Sequence, residues 1–247
     1  MSQASTDIMR ASYDDFAGPE LDNGRWTYLE YPVPGGTPIR CAESGASEQV
    51  RNGSLDVRVE RFENRHDAVQ MMDNPKHLLL SVKQFALPDA GIARFSVEMA
   101  ATNIGGNPDD FRDGIAAFNV IDMESGMVFD LAASSNHIWS IYERLPVPGV
   151  DKPFTYMVEA PFAGCRTRPG QFHRYEIELD TTTGQARWHV DGLLAFQTAD
   201  LAVMPRQVTI GLGMFTLHPV TDGASHSIRG QGMAATWRSL QIGGTPS

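Results

Sequence analysis

Residues 170–198, GQFHRYEIELDTTTGQARWHVDGLLAFQT, limit most narrowly what this chain can fold into. Tyr175, Ile177 and Leu179 alternate with Arg174, Glu176 and Glu178, the period-2 pattern of a strand with one buried face. A polar turn follows at 181–184. Ala186, Trp188 and Val190 then alternate with Arg187, His189 and Asp191. Asp191-Gly192 predicts a two-residue hairpin, because a type I′ turn needs positive φ at both central positions. The chain returns through Leu194 and Phe196. Three consecutive antiparallel strands of this kind point to an all-β protein.

The pattern recurs along the chain. After an Asn52-Gly53 turn, Leu55, Val57 and Val59 oppose Asp56, Arg58 and Glu60. Phe95, Val97 and Met99 alternate with Ser96 and Glu98. Residues 114–145 predict three interior strands. The first is apolar on both faces, with Ala116, Phe118 and Val120 against Ile115, Ala117, Asn119 and Ile121, as in a central strand covered on both sides. Gly211 and Gly213 alternate in a strand over 207–217 and leave room for a neighbouring backbone, a side chain or a ligand. Residues 233–242 predict the closing strand. No three-turn amphipathic helix and no fixed-period repeat interrupts roughly a dozen strands. The expected fold is a two-sheet antiparallel β-sandwich of the jelly-roll type. It forms one domain over residues 13–247, behind a flexible lead-in at 1–12.

Charge and cysteine usage narrow the function. The formal net charge is −10, which disfavours nucleic acid and anionic membranes, both of which reward clustered Lys and Arg. No run of 18 apolar residues is present, so no transmembrane helix is expected. The N-terminus lacks the apolar core of a secretory signal, so a cytoplasmic location is expected. Cys41 and Cys165 are then read as free thiols. No phosphate-binding loop, dinucleotide fingerprint or nucleophile elbow occurs, so no organic cofactor is expected.

Three segments resemble a known superfamily. FAGPELDNGRW, the meander FHRYEIELDTTTGQARWHVDGLLAF and the late WRSLQI are similar to the concanavalin A-like lectin/glucanase superfamily. There, a strand of the form W/F-H-x-Y-x-I, a turn, W-x-V-D-G and a final strand recur in this order. The similarity covers residues 13–242. NPKHLLLS and RGQGMAATWRSLQI also resemble an uncharacterised actinobacterial domain family of the same fold. The resemblance implies a jelly roll and no single activity, since that fold hosts glycoside hydrolases, lyases and lectins. It also implies where catalytic carboxylates would stand. The superfamily's glucanases carry E-I-D-x-x-E on the middle of the concave sheet, and about 5–5.5 Å between two carboxylates gives retention. The matching strand here is GMVFDLAA, with Met127 and Ala132 at the glutamate positions and Phe129 at the aspartate position. Asp130 alone remains, on the opposite face. One carboxylate cannot be both acid and nucleophile, so a typical glucanase is not expected.

The apolar replacements suggest a different ligand. A concave groove is expected to be lined by Phe118 or Ile121, Met127, Phe129, Trp139 and Met214, which would suit a small apolar molecule. The alternative is that these side chains fill the core. Asn119, Asp130, His137, Tyr142 and Glu143 are polar residues inside apolar strands, where burial costs free energy unless they are paired. Asp130, His137, Tyr142 and Glu143 are therefore the candidate acid–base residues. The alternative is that Asp130 and Glu143 point to water. Arg112 precedes the central strand and would hold a carboxylate or enolate oxygen, or else cap a turn beside Asp113. His218 and Arg229 are expected at the rim. Two groups have metal-like composition: His66, Asp67, Asp73 and His77; and His218, Asp222 and His226. The second holds Pro219 and Gly223, which denies it helical spacing, and no metal is expected apart from a structural calcium as an alternative. Three readings follow: a cofactor-independent enzyme acting on an apolar small molecule by cyclisation, isomerisation or elimination; a non-catalytic carbohydrate or small-ligand binder; and a domain that forms a homodimer through a sheet face. A glycosidase or lyase with a displaced site is a variant of the first.

Overall fold

The computed structural model describes residues 9–31, 37–64, 72–73, 76–147, 149–219, 222 and 226–246. In chain order the strands are β1 (Met9–Asp14), β2 (Trp26–Tyr28), β3 (Glu30–Tyr31), β4 (Ile39–Arg40), β5 (Ala46–Arg51), β6 (Ser54–Val59), β7 (Met72–Asp73), β8 (Lys76–Ser81), β9 (Phe85–Ala86) and β10 (Gly91–Ile104). They continue as β11 (Ile115–Asp122), β12 (Met127–Ala133), β13 (Ile138–Arg144), β14 (Phe154–Glu159), β15 (His173–Asp180), β16 (Gln185–Val190), β17 (Leu193–Thr198), β18 (Gln207–Phe215), β19 (His218–Pro219) and β20 (Gly232–Pro246). Among the described residues the helical content is one 3₁₀ turn, Pro161–Ala163.

Two antiparallel sheets carry the fold. The first runs β17-β16-β15-β10-β20-β6-β5, and the second runs β14-β13-β12-β11-β18-β8-β2 with β9 beside β18. β20 is long enough to serve two neighbours on one edge, β6 and β1. Met9 pairs with Gly244 and Ser12 with Gln241, so residues 9–12, expected in a flexible lead-in, form a strand.

The meander behaves as its sequence dictates. Asp191 and Gly192 both have positive φ, 52° and 81°, as a type I′ turn requires. The Asp191 carboxylate then ties the hairpin to the start of β15. Its Oδ1 accepts the Arg174 N–H at 2.8 Å, and its Oδ2 lies 2.7 Å from His173 Nδ1. The F-H and V-D-G signatures are therefore two ends of one contact. Tyr175, Ile177, Leu179 and Trp188 turn inward and are almost completely buried. Replacing a core Trp such as Trp188 by Ala would cost about 3–5 kcal/mol.

Between the sheets, Phe95, Val97 and Met99 of β10 meet Phe118 and Val120 of β11, Met127, Phe129 and Leu131 of β12, and Leu212 and Met214 of β18 in one apolar cluster. This decides the direction of the second sheet. Phe118, Met127, Phe129 and Met214, expected in a concave groove, fill the inter-sheet core instead. Their alternating neighbours, Asn119, Ile121, Val128 and Asp130, face away from the first sheet. Those positions are also buried, because two further apolar clusters cover the outer face. β11 and β12 are buried at every residue, as the two-sided apolar pattern of β11 requires.

Candidate functional site

The outer face of the second sheet holds a cavity of about 450 Å³. Its walls include Leu29, Leu78, Ile121, Val128, Ile141 and Met157. Its polar groups are Tyr31, Lys76, Asn119, Asp130, Glu143, Arg144 and Thr155. The register explains how the strands place them. Asn119 pairs directly with Asp130, and Asp130 with Ile141. Val128 pairs with Glu143, so the two carboxyls are diagonal neighbours on one face. Gly211 stands opposite Asn119 and accepts the Asn119 side-chain N–H at 3.2 Å. A Cβ on Gly213 would lie 2.5 Å from Leu78 Cδ1, so this glycine lets Leu78 lie flat along the cavity floor. The room foreseen at the paired glycines is thus taken by side chains.

The carboxyls are unusual for their protonation. Asp130 is 4% exposed, and its Oδ1 has no hydrogen-bond partner among the described residues. Burial, and then the nearby Glu143 charge, push its pKa well above the usual carboxylate range, with Lys76 opposing. Glu143 accepts a hydrogen bond from the Thr155 hydroxyl at 2.6 Å. Burial raises its pKa too, against the Thr155 hydrogen bond and the Lys76 charge. Lys76 donates to the Tyr31 hydroxyl at 2.7 Å, with its Nζ 6.0 Å from the centre of the Phe215 ring. Burial disfavours its charge, but Tyr31, Cys41 and Glu143 outweigh this, and its pKa is raised. The cavity thus combines apolar walls, two carboxyls biased towards the protonated form, the Lys76 ammonium and the Arg144 guanidinium, a set able to move protons on a bound molecule.

The other candidates lie elsewhere. Tyr142 belongs to the inter-sheet core. Its hydroxyl accepts the Ala202 N–H at 2.9 Å, and its ring meets Phe129 and Trp188, so it holds the fold together. His137 is part-exposed, with Nδ1 2.7 Å from Glu159 and Nε2 3.1 Å from Asp109. The Glu159 hydrogen bond chiefly raises its pKa, and Asp109 adds to this. The hydrogen-bond partners of His137 are thus Glu159 and Asp109, not Tyr142 or Glu143. Trp139 is on the outer face but buried beside the cavity, with His137 stacked on it at 5.4 Å and Phe111 edge-on at 6.1 Å. Arg112 is half-exposed and paired with Asp110 at 2.6 Å, outside the cavity. His218 and Arg229 converge on Asp113 Oδ1 at 2.6 and 3.2 Å. The Asp113 Oδ2 also takes the Asn107 N–H at 2.8 Å, so this group knits two loops together and does not rim the cavity.

Among the described residues, His218, Asp222 and His226 do not form a metal-ligand cluster. His66, Asp67 and the Asp73 side chain lie outside the described residues. His77 Nδ1 accepts the Glu43 N–H at 3.3 Å, which leaves Nε2 to donate to Glu48 at 2.8 Å. A different trio, Glu176, Glu178 and His189, brings three ligand atoms within 4.8 Å of one another on the outer face of the first sheet. Glu178 there is already paired with Arg94 and Arg187, charges that repel a cation. Both cysteines are free and buried, and burial pushes the Cys41 thiol up to about 11.

Two packed antiparallel sheets make a jelly roll of the concanavalin A-like fold, and solved structures share it. The endo-1,3-β-glucanase of Streptomyces sioyaensis is 15% identical with a TM-score of 0.61, over 97% of this chain and 96% of that one. The endo-β-1,3-glucanase of Pyrococcus furiosus is 14% identical with a TM-score of 0.58, over 97% and 95%. An alginate lyase of polysaccharide lyase family 7 is 11% identical with a TM-score of 0.53, over 90% and 95%. These similarities concern the fold. No curated protein matches the chain. The chain belongs to DUF6081, a family of unknown function, matched over residues 13–246.

Val128, Asp130 and Ala132 are the β12 residues on the outer face, whereas Met127 and Phe129 point into the inter-sheet core. Asp130 thus stands between two apolar residues on the face that holds the cavity. The second carboxylate, Glu143, comes from the adjacent strand. Sequence reasoning named both but missed Lys76 and Tyr31. The available signal was a lysine heading the apolar run KHLLLS, all six residues of which are buried.

Proposed function

We propose that this protein is a cofactor-independent acid–base enzyme that acts on a largely apolar small molecule held in the outer-face cavity. The observation that carries this reading is the pair Asp130 and Glu143, two carboxyls with raised pKa facing an apolar cavity. In its protonated form Asp130 gives a proton to a substrate oxygen or leaving group. Glu143, in its ionised form, removes a proton from carbon or hydroxyl. One carboxyl loses a proton as the other gains one, so the pair's total is unchanged and exchange with solvent restores the starting state. Such a step serves isomerisation, cyclisation or elimination, and the dry apolar walls strengthen both hydrogen bonds while excluding water. The free, buried thiols Cys41 and Cys165 suit a reducing compartment, in line with a cytoplasmic location.

The reading is tested by incubating the protein in D₂O with a panel of apolar ketones and following exchange at the α-carbon by NMR. Protein-dependent exchange that is lost in both Asp130→Asn and Glu143→Gln supports it. Exchange no faster than buffer across the panel, or exchange surviving both substitutions, refutes it.

A second reading has its own support. Two carboxyls on one outer sheet face of a fold shared with endo-1,3-β-glucanases suit a glycoside hydrolase-like or lyase-like enzyme with a displaced pair. The apolar walls argue against a sugar, whose hydroxyls need hydrogen-bonding partners. Release of reducing ends from laminarin or alginate, lost in Asp130→Asn, would favour this second reading over the first.

A further inference from the structure

The cavity's polar groups are unevenly satisfied, and the imbalance describes a ligand. Lys76 is only 8% exposed, and an ammonium carries three donors. Among the described residues its hydrogen-bond acceptor is the Tyr31 hydroxyl, at 2.7 Å. Glu143 acts on Lys76 through its charge, without an ion-pair contact among the described residues. A buried ammonium with unfilled donors is costly unless something supplies acceptors. Lys76 stands on β8 and Asp130 on β12, with β18 and β11 between them. Apolar side chains, among them Leu78, Ile121 and Val128, line the cavity that joins the two.

We infer that the ligand is an elongated, largely hydrocarbon molecule bearing one anionic oxygen head, a carboxylate or an enolate, which Lys76 and Tyr31 hold while the body runs along the apolar floor towards Asp130 and Glu143. This inference rests on the reading of the cavity as a ligand site and adds what that reading leaves open, the charge and shape of the molecule. Lys76 is then a binding and positioning residue that fixes which atoms of the substrate reach the two carboxyls. A charge-assisted hydrogen bond in a dry cavity separates an acid from the matching alcohol by tenfold or more in affinity.

The test compares three probes of equal chain length, decanoate, 1-decanol and decylamine, by calorimetry at pH 7.5 with the wild type, Lys76→Met and Lys76→Arg. The expected order has decanoate at least about tenfold tighter than decanol, with the advantage lost in Lys76→Met, largely kept in Lys76→Arg, and decanol unaffected by either. Equal affinity for decanoate and decanol, or a decanoate affinity unchanged in Lys76→Met, overturns the anionic head and leaves the cavity reading standing. Tightest binding of decylamine also overturns it, because the carboxyls would then select the charge. Failure of all three probes to bind wild type overturns both the head and the cavity reading. Melting curves of both variants, whose side chains stay long and flexible, show that lost binding is not lost folding.

Discussion

Replacing Asp130 by Asn should change how the protein's stability depends on pH. The carboxyl is 4% exposed, its Oδ1 lacks a partner among the described residues, and its pKa is raised by burial and by Glu143. A raised folded-state pKa means that the native state binds the proton more tightly than the unfolded chain. Stability is then fully present below the unfolded value near 4, and falls as pH rises towards the folded value. Each pH unit in that window removes up to about 1.4 kcal/mol from the wild type. Asn has the neutral acid's shape but no proton to lose, so Asp130→Asn escapes this slope. The stability gap should therefore move in favour of the variant by up to about 1.4 kcal/mol per pH unit above pH 4. At roughly 2–4 °C per kcal/mol for a chain of this size, that is about 3–6 °C in Tm per pH unit. Paired thermal or urea melts at several values between pH 4.5 and 7.5 measure it. A gap that stays constant across this range would refute the assignment, because Asp130 would then titrate as an ordinary solvated carboxyl.

Other residues give separable outcomes. Tyr142→Phe removes the hydrogen bond to the Ala202 N–H and should lower stability by about 0.5–1.5 kcal/mol in urea melts, with decanol binding unchanged. Gly213→Ala forces a Cβ against Leu78 Cδ1 and, at 3.0 Å, the His77 carbonyl. It should destabilise by about 1–3 kcal/mol and weaken probe binding by calorimetry, since Leu78 lines the cavity. His137→Gln should cost less than about 1 kcal/mol, because its partners Glu159 and Asp109 are both partly solvated. His137 has a raised pKa, so that cost is present below about pH 6.5 and fades as pH rises through the folded value, which melts at pH 5.5 and 8.5 would show.

How far the sequence was legible depends on the strand. Where one face is apolar and the other polar, as in β6, β10 and β15, alternation assigns both the strand and its buried side. β11 and β12 are apolar on both sides, so the period identifies a strand but not which side meets the other sheet. Phe118, Met127, Phe129 and Met214 were expected around a ligand for that reason, and they fill the inter-sheet core. Asp130 and Glu143 were recoverable because a carboxylate inside an apolar strand demands an explanation whichever way it points. Tyr142 and Glu143 could not share a site, since neighbours on a strand face opposite ways. Lys76 was hidden because a lysine after a polar segment reads as surface, and its burial depends on Tyr31 and on strands distant in the chain. The contacts of Arg112, His218 and Arg229 lie between loops, where no periodicity reports direction.

The most direct measurement is a crystal structure of the protein with 1-decanol, a probe that carries the apolar body without a charge. The proposed function requires the chain to lie against Val128, Ile141 and Met157, with its hydroxyl within hydrogen-bonding distance of Asp130 or Glu143. A cavity closed by its own side chains, or decanol bound away from both carboxyls, would contradict it.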